Sequence, residues 1–311
     1  MDSARCLRDR DIPSGNPRQK RGAQGLSRLR VAFSLGTFFW PRKRKYLALG
    51  GETPIQHGHR AAIPYSLETQ QVMPEPVIRI IDLNKTYEAG LAQPVPVLKQ
   101  VNFQVEEGEF VTIMGPSGSG KSTLINIIGC LDIPSNGHYF LSGRDTARLS
   151  VDELAGLRNR LLGFVFQGFN LLPRMDILDN VALPLLYSGV DKAERRRRAL
   201  KILSRVGLER HTRHWPNQLS GGQQQRAAIA RALVTGPRLI LADEPTGNLD
   251  THTSEEIMTI FSRLNIEQGI TLVLVTHELD IARHARRLIR IVDGQIAFDG
   301  EVATYLAEVA T

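Results

Sequence analysis

Nine consecutive residues, Gly115-Pro116-Ser117-Gly118-Ser119-Gly120-Lys121-Ser122-Thr123, carry the densest chemical information in the chain. They fit the pattern G-x-x-x-x-G-K-[ST], a loop whose backbone amides surround phosphate groups. The run before it, Glu109 to Met114, is short, apolar and β-branched and predicts a buried strand. The run after it, Leu124 to Ile128 stopped by Gly129, suits the first turns of a helix. Strand, glycine loop and helix is the setting the motif needs, because the helix N-terminus adds partial positive charge. In that setting Lys121 would reach the terminal phosphates of a nucleoside triphosphate, and Ser122 would ligate Mg²⁺.

A second apolar run, Leu239-Ile240-Leu241-Ala242, ends in Asp243-Glu244. Two adjacent carboxylates packed in a core would be costly. In a phosphate site they divide the work, with Asp243 holding Mg²⁺ while Glu244 orients and deprotonates the attacking water. The bland alternative is a strand end in solvent with two solvated acids. A third run, Thr271 to Thr276, delivers His277 to a strand end. Ligands gather at such ends in open α/β sheets, which favours a γ-phosphate contact over a structural histidine. Gln167 closes the strand Phe164-Val165-Phe166 and is a candidate for touching Mg²⁺ or the attacking water.

Ser220-Gly221-Gly222-Gln223 opens a helix that runs to Leu233 and stops near Gly236-Pro237. As a capping box, Ser220 is the N-cap and Gln223 the third helical residue. That leaves two glycines, each costing about 1 kcal/mol relative to alanine inside a helix. Approach of a ligand to their bare amides would account for them.

With Leu219 in front of Ser220, these segments together resemble the nucleotide-binding subunit of ATP-binding cassette (ABC) transporters, over roughly 77–300. The resemblance implies an α/β fold, a P-loop NTPase core of ABC type with a small antiparallel β subdomain and an inserted helical subdomain. It also implies a head-to-tail homodimer around two ATP, in which Ser220, Gly221, Gly222 and Gln223 of one subunit cover the γ-phosphate held by the Gly115–Thr123 loop of the other. Tyr87, in Lys85-Thr86-Tyr87, is similar to the aromatic residue that stacks on adenine in this family. Gly247-Asn248-Leu249-Asp250 resembles its loop that passes signals between the two sites.

Phe164 to Pro173, Asn180 to Leu185 and Asp243 to Asp250 are similar to the macrolide-exporter and lipoprotein-release branch; Gly168, where a larger residue is expected, departs from it. The branch implies an ATPase that drives a separate FtsX- or MacB-like transmembrane permease, with a periplasmic adaptor, from the cytoplasmic face of the inner membrane. An FtsE-like signalling ATPase would use the same chemistry without moving a substrate. A soluble ABC ATPase acting on nucleic acid or ribosomes is disfavoured, since the roughly 50 residues between Gln167 and Ser220 are too few for a long coiled coil.

Charge adds to that exclusion. The chain holds 39 Lys and Arg against 32 Asp and Glu. Residues 1–71 account for 13 basic and 5 acidic of these, leaving 26 against 27 for the rest. The body therefore carries no global charge that would attract nucleic acid. Residues 1–72 read as a disordered basic leader, or as sequence upstream of a true start near Met73; a surface-binding arm is the functional alternative. Its apolar run, Val31 to Trp40, is too short to span a bilayer and is followed by Pro41-Arg42-Lys43-Arg44-Lys45, which argues against a cleavable signal. Cys6 and Cys130 are too few for a disulfide framework and fit a reducing compartment.

The elements that must position these groups follow from periodicity. Residues 73–311 read as one ATP-binding domain with a helical insert at about 145–235. Within that insert Ala199, Ile202, Leu203 and Val206 form an apolar stripe opposite Arg197, Lys201 and Arg205, so the run Arg195–Arg198 reads as a solvated face. Another helix is expected to start at a Thr253/Glu256 capping pair, to bury Ile257, Ile260, Phe261 and Leu264, and to end near Gly269. A strand pair turning at Asp293-Gly294 closes the body.

Overall fold

The structure is a computed structural model and describes residues 75–88 and 93–309. The basic leader, its apolar run and Cys6 lie outside the described residues. In chain order the elements are β1 (Ile78–Tyr87), β2 (Val95–Val105), β3 (Phe110–Met114), α1 (Lys121–Ile128), β4 (Asn136–Leu141), β5 (Arg144–Asp145), α2 (Val151–Leu161) and β6 (Leu162–Phe166). They continue with α3 (Ile177–Tyr187), α4 (Lys192–Arg205), α5 (Gly221–Leu233), β7 (Leu239–Asp243), α6 (Thr251–Gln268), β8 (Thr271–Val275), α7 (Leu279–Ala282), β9 (Arg287–Val292), β10 (Gln295–Glu301) and α8 (Val302–Val309).

Strands β3 and β8 are buried at every position, and β7 at four of five. Such runs are apolar throughout because helices cover both faces of a parallel sheet. They belong to a six-stranded sheet of order β10-β9-β3-β8-β7-β6, parallel except for β10. The registers Thr112↔Leu274, Leu241↔Val273 and Val165↔Ala242 bring the C-terminal ends of β3, β8, β7 and β6 to one edge. The smaller sheet, β2-β1-β4-β5, is antiparallel, and β1 mixes buried with exposed positions as a strand with one covered face does.

Three apolar clusters hold these layers. Leu124, Ile125, Ile127 and Ile128 of α1 pack between the two sheets with Ile78, Leu98, Val111 and Val273. On the other face of the large sheet, α5, α6 and α7 bury Ile229, Ile257, Phe261 and Ile281 against Phe110, Ile240 and Leu274. A separate cluster joins α3 and α4 to the opposite side of α5, through Val181, Leu185, Ala199, Leu203, Ala227 and Ala230. Helix α5 thus belongs to both the sheet core and the helical lobe.

Two expectations are corrected. The insert at about 145–235 is not continuous: β6 pairs with β7 inside the large sheet, and Leu157 of α2 joins the inter-sheet cluster, so only α3, α4 and one face of α5 form the helical lobe. Helix α6 is capped by Asp250, whose carboxylate accepts from Thr253 N at 2.9 Å, rather than by Thr253 with Glu256. An aspartate in β conformation three residues before a free N–H is the better cap. The α4 stripe is as expected, and Arg197 and Arg198 turn outward to pair with Glu194 at 2.7 and 2.6 Å, but Arg195 and Arg196 are half-buried rather than solvated, with Arg195 donating to Val190 O at 2.8 Å. Cys130 is buried, which pushes its thiol up to about 11 and leaves it as packing.

Candidate active site

Four parallel strands deliver their following residues to the same edge: Gly115 after β3, Gln167 after β6, Glu244 after β7 and His277 two residues after β8. A cavity of about 610 Å³ opens there, lined by Val97, Gly115 to Gly118, Gly120 to Thr123, Gln167, Asp243, Glu244, Val275 and His277. Motifs separated by more than a hundred residues therefore meet because the sheet order interleaves their strands. Val97, from the antiparallel sheet, was not foreseen; its contact is made across the two sheets and has no local sequence signal.

The loop is built by close approach. A Cβ on Gly115 would lie 2.1 Å from Ile291 O of β9, so only glycine fits. Gly118 has φ +81° with nothing within 4 Å of its Cβ position, so there the need is conformational and the space in front is open. Ser119 does not line the cavity: it is buried beneath the loop, and its Oγ has no partner.

Helices α2, α3, α4, α5 and α6 are each capped by a serine or aspartate side chain, but α1 begins at Gly120 with no side-chain cap and no acid in its first turn. Its first N–H groups thus lack the usual internal acceptor where Lys121, Ser122 and Thr123 line the cavity. Lys121 is buried, and its Nζ donates to Gly115 O at 2.8 Å and Pro116 O at 2.9 Å. The ammonium is thereby held over the loop.

Asp243 makes no side-chain hydrogen bond or ion pair with the described residues. Burial pushes its carboxyl up to about 6, Glu244 adds to the rise, and Lys121 opposes it. Glu244 has φ 45°, and its N–H donates to Val275 O at 2.9 Å. Its Oε1 lies 3.0 Å from His277 Nδ1. An unbonded carboxylate, the Ser122 hydroxyl and the Gln167 amide make a hard oxygen donor set, which fits Mg²⁺ better than a soft metal. The uncapped helix start and the ammonium fit phosphate. Among the described residues no cluster of three or more His, Cys, Asp or Glu could hold a metal by itself.

The other candidates lie elsewhere. Tyr87 is absent from the cavity lining; its hydroxyl donates to Asp132 Oδ2 at 2.9 Å, and Lys85 stacks over its ring at 4.8 Å. Burial raises its phenol, an effect that the neighbouring Thr123 hydroxyl opposes, so Tyr87 stands beside the last loop residue. Ser220 caps α5 and exchanges hydrogen bonds with Gln223, as a capping box requires, but neither lines the cavity. Asp250 also lies off it, bonded to Thr253. A Cβ on Gly222 would sit 2.4 Å from Thr253 Cγ2, so α6 packing by itself excludes a side chain there. Gly221 is less confined, with Leu249 Cδ2 at 3.2 Å. Arg231 had no role in the sequence reading and Asn248 only that of a signalling loop, yet their hydrogen bonds hold the turn after β6.

Comparison with known proteins agrees with this architecture. The ABC transporter family model matches residues 98–247. The chain is 53% identical over 220 residues to an uncharacterized ABC transporter ATP-binding protein of Thermotoga maritima, covering 71% of this chain and 93% of that one. It is 54% identical over 222 residues to the macrolide export ATP-binding/permease protein MacB of Syntrophobacter fumaroxidans, covering 71% of this chain but 31% of that protein. The chain thus spans about a third of the length of that relative. Among solved structures, a dimeric ATP-binding cassette in a post-hydrolysis state, bound to ADP and Pi, superposes with a TM-score of 0.67 at 48% identity, over 72% of this chain and 98% of that one. The cavity chemistry, the two-sheet fold and these relatives give one conclusion: the chain belongs to the ABC transporter ATP-binding proteins and is an ATP-hydrolysing cassette.

Proposed function

We propose that residues 73–311 act as the ATPase subunit of an exporter, pairing head-to-tail with a second copy around two ATP and driving a separate transmembrane permease. The observation that carries the pairing is a division within one chain. Gly115–Thr123, Gln167, Asp243, Glu244 and His277 share the cavity wall, whereas Ser220–Gln223 and Asp250 lie off it. A second copy would supply those segments to complete the site.

In this reading Lys121 and the α1 N-terminus hold the β- and γ-phosphates, and Tyr87 stacks on adenine. Glu244 accepts the proton of the attacking water while His277 orients Glu244 and meets the γ-phosphate. Mg²⁺, held by Ser122, Gln167 and Asp243, would neutralise charge on the phosphates. ATP binding closes the dimer; hydrolysis reopens it. No helix among the described residues is long and apolar enough to cross a membrane. The permease would then hold the cassette at the cytoplasmic face of the inner membrane, with any periplasmic adaptor joining from the other side.

The test uses Glu244→Gln, tagged at its C-terminus and held with ATP, to capture partners from native membranes. A small permease with a large extracytoplasmic domain supports the exporter reading. Recovery of ribosomal or DNA-associated proteins, with nothing from the membrane, would overturn it.

A further inference from the structure

Gln167 leaves β6 into a turn that none of the nucleotide motifs explains. Phe169 and Asn170 both have positive φ, 59° and 49°, a region disfavoured for phenylalanine and entered more readily by asparagine. What holds them there is Arg231, in the last turn of α5. One guanidinium nitrogen donates to Asn170 O and the other to Phe169 O at 2.9 Å.

Arg231 has no carboxylate partner among the described residues, and burial draws its pKa down to about 10. Enclosing an unpaired guanidinium is unfavourable, and an apolar side chain would avoid that cost. What only the planar fork supplies is two parallel donors for two successive carbonyls. The turn has further anchors. Asn248 Nδ2 donates to Gln167 O at 2.9 Å, and Phe169 N donates to Phe166 O at 3.1 Å. The Gln167 amide packs directly on Gly247, where a Cβ would meet Nε2 at 2.6 Å. The Phe169 ring reaches the start of α5, within 3.8 Å of the Gly221 Cβ position.

We propose that Arg231 is a positioning residue for ATP hydrolysis: its fork ties the Gln167–Asn170 turn to α5 and so sets Gln167 against the cavity. The inference rests on the reading of Gln167 given above. Helix α5 is the one that Ser220 opens, so any movement of its start would be carried to Gln167 through this clamp.

The experiment measures ATP turnover and fluorescent-nucleotide affinity of the purified full chain for Arg231→Met, Arg231→Lys, Gln167→Ala and the Arg231→Met/Gln167→Ala pair. Arg231→Met should lower kcat about tenfold with KM and nucleotide affinity within about twofold, the signature of a lost transition-state interaction. Arg231→Lys, keeping one donor, should recover part of kcat. The double variant should be no slower than Gln167→Ala alone, since both act through one group.

An unchanged kcat in Arg231→Met, or losses that multiply in the double variant, would overturn the proposal. If Gln167→Ala alone is silent, the role of Gln167 fails and this inference falls with it. A slow Gln167→Ala beside a normal Arg231→Met leaves Gln167 standing and removes only Arg231. Should Arg231→Met not fold, Arg231→Lys completes the same cycle, and multiplying losses there count equally against the idea.

Discussion

His277 Nδ1 lies 3.0 Å from Glu244 Oε1, across the ends of the adjacent strands β7 and β8. A carboxylate can only accept, so with Glu244 ionised this contact requires the proton on His277 Nδ1 and leaves Nε2 for another partner. The pair links the two residues that follow separate apolar runs, and it orients the carboxylate.

Replacing Glu244 by Gln keeps the shape and removes the base. Turnover should fall by about 10²–10⁴, the usual weight of a general base, while ATP affinity survives. His277→Ala should slow phosphate release less, since Glu244 remains. A phosphate-release assay on both variants decides this; normal turnover in Glu244→Gln would remove it from the role.

Lys121→Ala deletes the cation that now bridges Gly115 O and Pro116 O. Nucleotide binding should become undetectable in a fluorescence titration, with the fold retained by circular dichroism. Unchanged affinity would sink the assignment of Lys121 to the phosphates.

Asp243 predicts a pH dependence with a definite sign. Its folded pKa is raised from 3.8 to about 6, so the folded chain holds this proton more tightly than the unfolded chain. Its contribution to stability is full below the unfolded pKa and is lost as pH rises through about 6. Two units correspond to at most about 3 kcal/mol. Asp243→Asn, neutral at all pH, should therefore melt higher than the parent near pH 7.5, with the gain shrinking toward about pH 5. The same variant should lose Mg²⁺-dependent turnover. A gain that grows on acidification would contradict the sign.

Gly222→Ala should place its methyl against Thr253 Cγ2 and destabilise the α5–α6 contact by about 1–3 kcal/mol, the range for overpacking. Thr253→Ser removes that methyl but keeps the hydroxyl that Asp250 accepts, and should restore most of the loss. Thermal melts of the single and double variants test it. If Gly222→Ala is neutral in stability and only turnover falls, the glycine serves a ligand after all.

Local pattern was sufficient for a large part of this molecule. The glycine loop, the three apolar strand runs and the Ser220/Gln223 capping box are each encoded within about ten residues, so short-range chemistry and periodicity expose them. The placement of Asp243, Glu244, His277 and Gln167 at strand ends was legible for the same reason. Once the strands are parallel, their ends share an edge. Tertiary structure alone decided what depends on distant partners. It put β6 inside the large sheet by pairing it with β7, and so divided the helical insert. It chose Asp250 over Thr253 as the α6 cap, because the chain turns into the helix three residues earlier than the charge pattern suggested. It gave Gly222 a steric reason in Thr253, and it brought Arg231 to the carbonyls of Phe169 and Asn170, about sixty residues away in sequence. An arginine at helical spacing looks like any solvated arginine until packing closes over it, and no local pattern records which carbonyls it will find there.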